Sequence, residues 1–258
     1  MKRDFVEERR SKILGYVNEH NRADISELAR IFGTTEATIR RDLGSLEEQS
    51  LVYRVHGGAL RREQPSVWRI TSLQDRLGAQ ADHKERIAEV AAELIDDGDS
   101  IMLDTGSTTM IVAQHLLSKK NLLFVTNAPA IGTMIGEESD HKVILTGGEL
   151  LNETSALMGS GAEGALRHYR TDKAIVGVSG ILLNEGCFAA IPEEAEVKRL
   201  MSLNAGETIV VADSTKFGTR ALCFIFDFAH VDKLVTDKNI SRTSLASLRD
   251  EGVEVLVA

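Results

Sequence analysis

Apolar residues recur at helical spacing through the first fifty positions of the chain. Ile13, Leu14 and Val17 share one face and predict a helix over residues 7–19. Ile25, Leu28, Ala29 and Phe32 form a second stripe, and Asp24 before it is expected to cap that helix by accepting from its open backbone N–H groups. A third stripe, Ile39, Leu43 and Leu46, sits at i, i+4 and i+7 and opens after Thr34 or Thr35, either of which can cap it. Gly33 lies between the second and third stripes, where a positive φ is easiest without a Cβ. Ala29, four residues earlier, is small enough for two helices to cross closely. Two short helices joined by a tight turn are a helix-turn-helix. Branched and aromatic residues from Leu51 to Val55, followed by Gly57-Gly58, predict a β-hairpin placed as a wing behind the third helix.

Residues 61–82 keep no clean period and read as a linker with one helical turn. From His83 the pattern changes. Helical spacing over 84–95 ends at Asp97-Gly98-Asp99. Strand-like runs follow at 100–104, 122–126, 142–146, 173–178, 208–213, 233–237 and 253–257. Helical segments fall between most of them, at 109–118, 129–138, 161–167, 193–203 and 241–251. Apolar strands separated by amphipathic helices predict an α/β domain with a mostly parallel sheet covered on both faces. The run 222–226 reads as an antiparallel edge. The expected organisation is a winged helix-turn-helix over 1–60, a linker over 61–82 and an α/β domain over 83–258.

Charge sharpens this division. The chain of 258 residues carries a net −9, yet residues 1–62 hold 12 Lys+Arg against 10 Asp+Glu, and the remainder holds 18 against 29. A mildly basic head on an acidic body suits a DNA reader carried by a metabolite sensor, and excludes a protein that coats DNA nonspecifically. Two cysteines, Cys187 and Cys223, far apart, give neither a disulfide framework nor a metal-ligand spacing. No stretch approaches the ~20 apolar residues of a membrane span. The N-terminus lacks the apolar core of a signal peptide, so the expected location is the cytoplasm.

The third helix carries the candidate DNA contacts. Opposite its buried stripe lie Ala37, Thr38, Arg41 and Ser45, with Thr35 at its start and Arg40 on a flank. Arg41 is placed for a guanine edge or a phosphate, and Ala37 and Thr38 occupy the early turns that meet base edges. Arg40 suits a phosphate, which positions without specifying. On the wing, Arg54 and His56 are candidates for the adjacent backbone, although a plain hairpin accounts for them equally well.

A second constellation is Asp104-Thr105-Gly106-Ser107-Thr108-Thr109, which follows a strand and opens a helix. Free N–H groups at a helix N-terminus, with hydroxyls beside them, make an anion site. Gly106 permits close approach, and no lysine completes a nucleotide-binding loop, so the single phosphate of a small metabolite fits best. Strand-end loops on the same expected edge add Asn127, Gly147, Gly148, Asp213 and Lys216, because ligands of open α/β sheets sit beyond the carboxyl ends of strands. Asp104, Asn127 and Asp213 offer acceptors for hydroxyls. The helix from Pro192 adds Glu194 and Lys198, whereas Glu196 reads as an ordinary surface acid favoured by the helix dipole. Gly159 to Gly164 matches G-x-G-x-x-G, but the polar stretch before it is no buried strand and the expected ribose-binding acid is missing. No cofactor and no metal is expected.

The ordered set Glu36-Ala37-Thr38-Ile39-Arg40-Arg41-Asp42-Leu43, Leu46-Glu47, Arg54-Val55-His56-Gly57-Gly58-Ala59, Lys84-Glu85-Arg86-Ile87-Ala88, Leu103 to Thr109, Val125-Thr126-Asn127, Gly147-Gly148 and Asp213 to Gly218 resembles the DeoR-type bacterial sugar-metabolism repressors. The resemblance spans nearly the whole chain. It implies a sensor related in fold to ribose-5-phosphate isomerase and acetyl-CoA-transferase-like proteins. It also implies a phosphorylated-sugar effector, a phosphate loop at Gly106–Thr109 with Lys216, and repression of a catabolic operon. Ser50 departs from the glycine usual before the wing. The expected partners are an operator duplex, a phosphorylated sugar and further copies of the chain, since two protomers place reading helices in successive major grooves. The alternative is a sugar-phosphate isomerase with an appended reader, its base drawn from Asp104, Asp213 or Glu194.

Overall fold

The computed structural model describes residues 2–48, 51–55, 57–61 and 72–258, which form two units with separate cores. The N-terminal unit contains α1 (Lys2–His20), β1 (Arg22–Asp24), α2 (Ile25–Ile31), α3 (Glu36–Glu48), β2 (Val52–Val55) and β3 (Gly58–Arg61). Its core is the three stripes brought together: Ile13, Val17, Leu28, Ile39 and Leu43 are fully buried. Each such aliphatic side chain contributes about 1.5–3 kcal/mol of burial. Gly33 turns the chain between α2 and α3 at φ +59°. β3 pairs antiparallel with β1 on one side and β2 on the other. Gly58 has no alternative here, since a Cβ on it would stand 2.3 Å from the Ala23 carbonyl oxygen.

Three local expectations change. Asp24 occupies the N-cap of α2, but its carboxylate makes no capping bond; it accepts instead from Arg22 Nη2 at 3.0 Å. The Ile25 N–H bonds to the Gly57 carbonyl, so the wing satisfies the first open N–H group of the helix. Of the two threonines, Thr35 accepts from the Thr38 N–H at 3.3 Å and caps α3. The three-residue β1 has no period of its own and exists because β3 lies beside it. Ser50 and His56 lie outside the described residues.

The larger unit opens with α4 (Leu73–Gly78) and α5 (Ala81–Glu93). It continues through β4 (Ser100–Leu103), α6 (Ser107–Leu116), β5 (Leu123–Thr126), α7 (Pro129–Glu138), β6 (Lys142–Leu145), β7 (Glu149–Leu151), β8 (Ala156–Met158), α8 (Gly159–His168) and β9 (Thr171–Gly177). Then come β10 (Gly180–Leu182), β11 (Gly186–Ala189), α9 (Pro192–Leu203), β12 (Ala205–Val211), β13 (Cys223–Phe226), β14 (Lys233–Thr236), α10 (Arg242–Asp250) and β15 (Glu254–Val257). Seven strands in the order β15-β14-β12-β9-β4-β5-β6 form one parallel sheet.

Alternation along each strand divides the core in two. Ile101, Leu103, Phe124, Ile175 and Val211 pack with α5, α6 and α7. Met102, Val125, Ala174, Val176 and Val210 pack with α8, α9 and residue Leu248 of α10. Side chains two apart face the same side, so both faces must be covered. The order of strands carries β4, β9 and β12 to the middle, with their carboxyl ends together.

Antiparallel pieces decorate this frame. Residues 223–226 do not edge the main sheet; β13 belongs to a separate sheet of order β10-β11-β13. A hairpin of β7 and β8 precedes α8, so Gly159 to Gly164 does follow a strand, though an antiparallel one outside the main sheet. Within it Gly161 packs closely against Gly148. A Cβ on Gly148 would meet the Met158 carbonyl at 2.4 Å, and one on Gly161 would meet Gly148 Cα at 3.0 Å. The stretch expected to be linker holds α4, which lies on the larger unit through a Leu73 N–H to Glu153 carbonyl bond and a buried Leu73.

Candidate functional site

On the reader, α3 turns Ile39, Leu43 and Leu46 inward and leaves Thr35, Ala37, Arg40 and Arg41 exposed, with Thr38 and Ser45 half-buried. Thr35 and Thr38 share a hydroxyl–hydroxyl bond of 3.0 Å. Arg40 donates to Glu36 one turn earlier at 2.8 Å. Arg41 is exposed and has no hydrogen bond or ion pair among the described residues. On β2, Arg54 stands 3.6 Å from Glu47 of α3, so a phosphate contact requires it to exchange that exposed partner. The α3 helix is anchored from behind. Asp42, buried beside the apolar stripe, accepts from Arg9 Nε at 2.7 Å, from Arg9 Nη2 at 3.3 Å and from Arg10 Nε at 3.2 Å. Its position three residues after Ile39, on the edge of the buried stripe, is the signal that it needs a cation.

In the larger unit, the carboxyl ends of β4, β9 and β12 enclose a cavity of about 40 Å³. That is room for a few waters or one compact anionic group. Its lining includes Gly106, Ser107, Thr108 and Thr109 at the start of α6, together with Lys198, Asp213 and Lys216. No side chain caps α6, and the first-turn N–H groups of a helix have no partner within it. Thr109 Oγ1 donates to the Gly106 carbonyl at 3.1 Å and tightens the turn. Gly106 itself is fully extended; a Cβ there would approach Thr109 Oγ1 to 3.2 Å.

Asp104 and Asn127 stand below the loop rather than in the lining. Asn127 Oδ1 accepts from the Thr105 N–H at 3.1 Å and from its hydroxyl, and so holds the loop's shape. Asp104 is buried, accepting from Lys198 Nζ and, at 3.2 Å, from the Gly177 N–H, while its Oδ1 has no hydrogen-bond partner. Burial pushes the Asp104 carboxyl above the usual carboxylate range, against the opposing pull of Lys198 and the Gly177 N–H. Glu194 is likewise buried and raised by desolvation, with Lys198 pulling it back. Asp213 Oδ1 is occupied by the Thr215 N–H and hydroxyl. Gly147 and Gly148 are absent from the lining; Gly148 packs against Met158 and against Ala162 of α8 instead.

Two further cations, outside the loops expected to hold the ligand, also line the cavity. Lys84 of α5 is buried and donates to the Arg76 and Ala79 carbonyls. Burial holds its ammonium below the usual lysine range. Arg76 of α4 presents Nε and Nη2 buried and without a hydrogen-bond partner among the described residues. Lys84 had a signal: it shares the stripe of Ile87, Ala88 and Ala91, where a cation is out of place. Arg76 had none, because its position depends on where α4 lands. With Lys198 paired to Asp104, the cations Arg76, Lys84 and Lys216 and the uncapped helix N–H groups face Asp213, a balance that favours an anion. Among the described residues no group of His, Cys, Asp or Glu side chains is placed to hold a metal.

Residues 9–64 match the DeoR-like helix-turn-helix domain, and residues 79–238 match the DeoR C-terminal sensor domain. The chain belongs to the DeoR family. A DeoR-family relative in Bacillus subtilis (strain 168), the HTH-type transcriptional repressor GlcR, is 33% identical over 254 residues, 98% of this chain and 96% of its own. The glycerol-3-phosphate regulon repressor of Escherichia coli (strain K12) is 32% identical, over 96% of this chain and 97% of its own. Among solved structures, ribose 5-phosphate isomerase from Methanocaldococcus jannaschii is 18% identical, with a TM-score of 0.39 over 54% of this chain and 55% of that one. As a DeoR-family protein the chain is a DNA-binding transcriptional regulator, and α3 is the second helix of its helix-turn-helix. Arg41→Ala is then expected to weaken specific duplex binding by about 1–3 kcal/mol if Arg41 reads a base. Its unfolding curve should stay at the parent position, because Arg41 has no partner among the described residues to lose. A fluorescence-anisotropy titration and a denaturant melt check the two statements.

Proposed function

We propose that this chain represses a carbohydrate-catabolism operon, that it reads its operator as a homo-oligomer in the cytoplasm, and that a phosphorylated sugar retunes it. The cavity supports this reading most directly. Uncapped N–H groups at Ser107, Thr108 and Thr109, with Arg76, Lys84, Lys198 and Lys216 around them, suit a phosphate head group. Thr35, Ala37, Thr38, Arg40, Arg41, Ser45, Arg54 and His56 are the proposed duplex contacts. The names of the two relatives, both repressors and one of a glycerol-3-phosphate regulon, agree with this assignment.

The isomerase alternative needs a free carboxylate beside the sugar carbons. Asp104 and Glu194 are not in the lining, and one oxygen of Asp213 is already bonded to Thr215. The regulator reading therefore stands ahead of it. An effector shifts the reader only through a different affinity for the two conformations of the protein.

The test uses the full chain, a duplex selected by it from randomised DNA, and a panel of phosphorylated sugars. One of them is expected to raise the melting temperature and change duplex affinity. Lys216→Ala is expected to blunt both effects of the same compound at the same concentration. A panel without any shift in melting or affinity contradicts the sensor reading.

A further inference from the structure

The helix α4 is six residues long, too short to persist by its own propensity. Its attachments are few. Ser72 accepts from the Asp75 N–H at 3.1 Å, the Leu73 N–H reaches the Glu153 carbonyl at 3.3 Å, and Leu73 is buried. At its other end the Lys84 ammonium takes up the Arg76 and Ala79 carbonyls. An ammonium has three donors, so one remains. Lys84 also lines the cavity, so this side chain both fastens α4 and faces the phosphate-type loop. Arg76, on α4 itself, contributes two buried guanidinium nitrogens without an acceptor among the described residues. A buried donor left unsatisfied is unfavourable, so the placement of α4 is incomplete as it stands.

The geometry points to α4 as a strap that an anion fastens. An anion held by Ser107, Thr108 and Thr109 supplies the acceptors that Arg76 and the third donor of Lys84 lack, and so converts a weakly held helix into a rigid one. The strap is the first described element after β3 of the reader in the chain, and it reports the state of the cavity at that point. This inference rests on the anion-binding reading of the cavity and adds its regulation: occupancy is passed on through the order of α4. A ligand that binds only the fastened state lowers the population of the loosened one by the factor that its concentration sets over its dissociation constant.

Hydrogen exchange of the full chain tests it, with inorganic phosphate as the probe and chloride holding the ionic strength constant. With phosphate at ten times its dissociation constant, exchange over residues 73–80 is expected to slow about tenfold, together with residues 105–109. In Arg76→Leu the slowing at 105–109 persists while most of that at 73–80 is lost, and Arg76→Lys restores part of it. Slowing at 105–109 with residues 73–80 unchanged overturns the strap and leaves the anion site standing. Phosphate that slows neither segment overturns the anion site and the strap with it. Equal slowing of 73–80 in Arg76→Leu and the parent also overturns the strap, because the helix is then fastened without its arginine.

Discussion

Lys198→Met is expected to lower the unfolding free energy of the larger unit by about 3–5 kcal/mol near neutral pH, the usual consequence of leaving one half of a buried ion pair alone. Lys198 and Asp104 are both almost wholly buried, at 4% and 1% exposure. Methionine fills the space of the aliphatic stem but leaves the Asp104 carboxylate with the Gly177 N–H as its remaining donor. The penalty should depend on pH, with a definite sign. Burial holds the folded-state Asp104 carboxyl above its unfolded value, so the folded chain takes up this proton more readily. Stability from this group therefore falls as pH rises through that interval. Loss of Lys198 pushes the carboxyl higher and widens the interval. Urea melts should show parent and variant converging on acidification, and the double variant Lys198→Met with Asp104→Asn recovering most of the loss. An equal deficit at acidic and neutral pH, with no recovery in the double variant, contradicts the assignment of the loss to a stranded charge.

Asp42→Ala is expected to destabilise the reader by about 1.5–3 kcal/mol, the range for hydrogen bonds to a charged group. The estimate stays below that for Lys198 because Arg9 and Arg10 keep 24% and 26% of their side chains in solvent and rehydrate when released. The same substitution should weaken duplex binding, since the carboxylate ties α1 to the helix that carries Arg41. The contrast with Arg41→Ala is the informative part. Arg41→Ala is expected to lose affinity with stability unchanged, whereas Asp42→Ala loses both. Near-ultraviolet circular dichroism melts, read beside anisotropy titrations, separate the cases. Parent-like stability in Asp42→Ala contradicts the anchoring role.

Much of the reader was legible because its information is local. The spacing of Ile39, Leu43 and Leu46 fixes which face of α3 is buried, and hence that Arg41 is exposed. The alternation of Ile101, Met102 and Leu103 fixes that both faces of the sheet are covered. The loop from Asp104 to Thr109 was legible for the same reason: a strand, a glycine and a hydroxyl-rich helix start are neighbours in sequence. Asp24 does not cap α2 because its carboxylate takes the Arg22 guanidinium instead, and a charged neighbour two residues back carries no periodic signal. Gly148 has a packing role that the sequence does not show, because Gly161 approaches it from α8.

The order of apolar and polar residues was enough to define a three-helix reader with a wing, a parallel sheet clothed on both sides, and a hydroxyl-rich turn at a helix start, since periodicity and turn chemistry act over a few residues. Folding alone decided which side chains surround that turn. Arg76, Lys84, Lys198 and Lys216 are up to 140 positions apart in the chain, and they meet because the strand order sets β4, β9 and β12 side by side. Adjacency across a sheet follows from hydrogen-bond pairing between strands, and no local spacing encodes it.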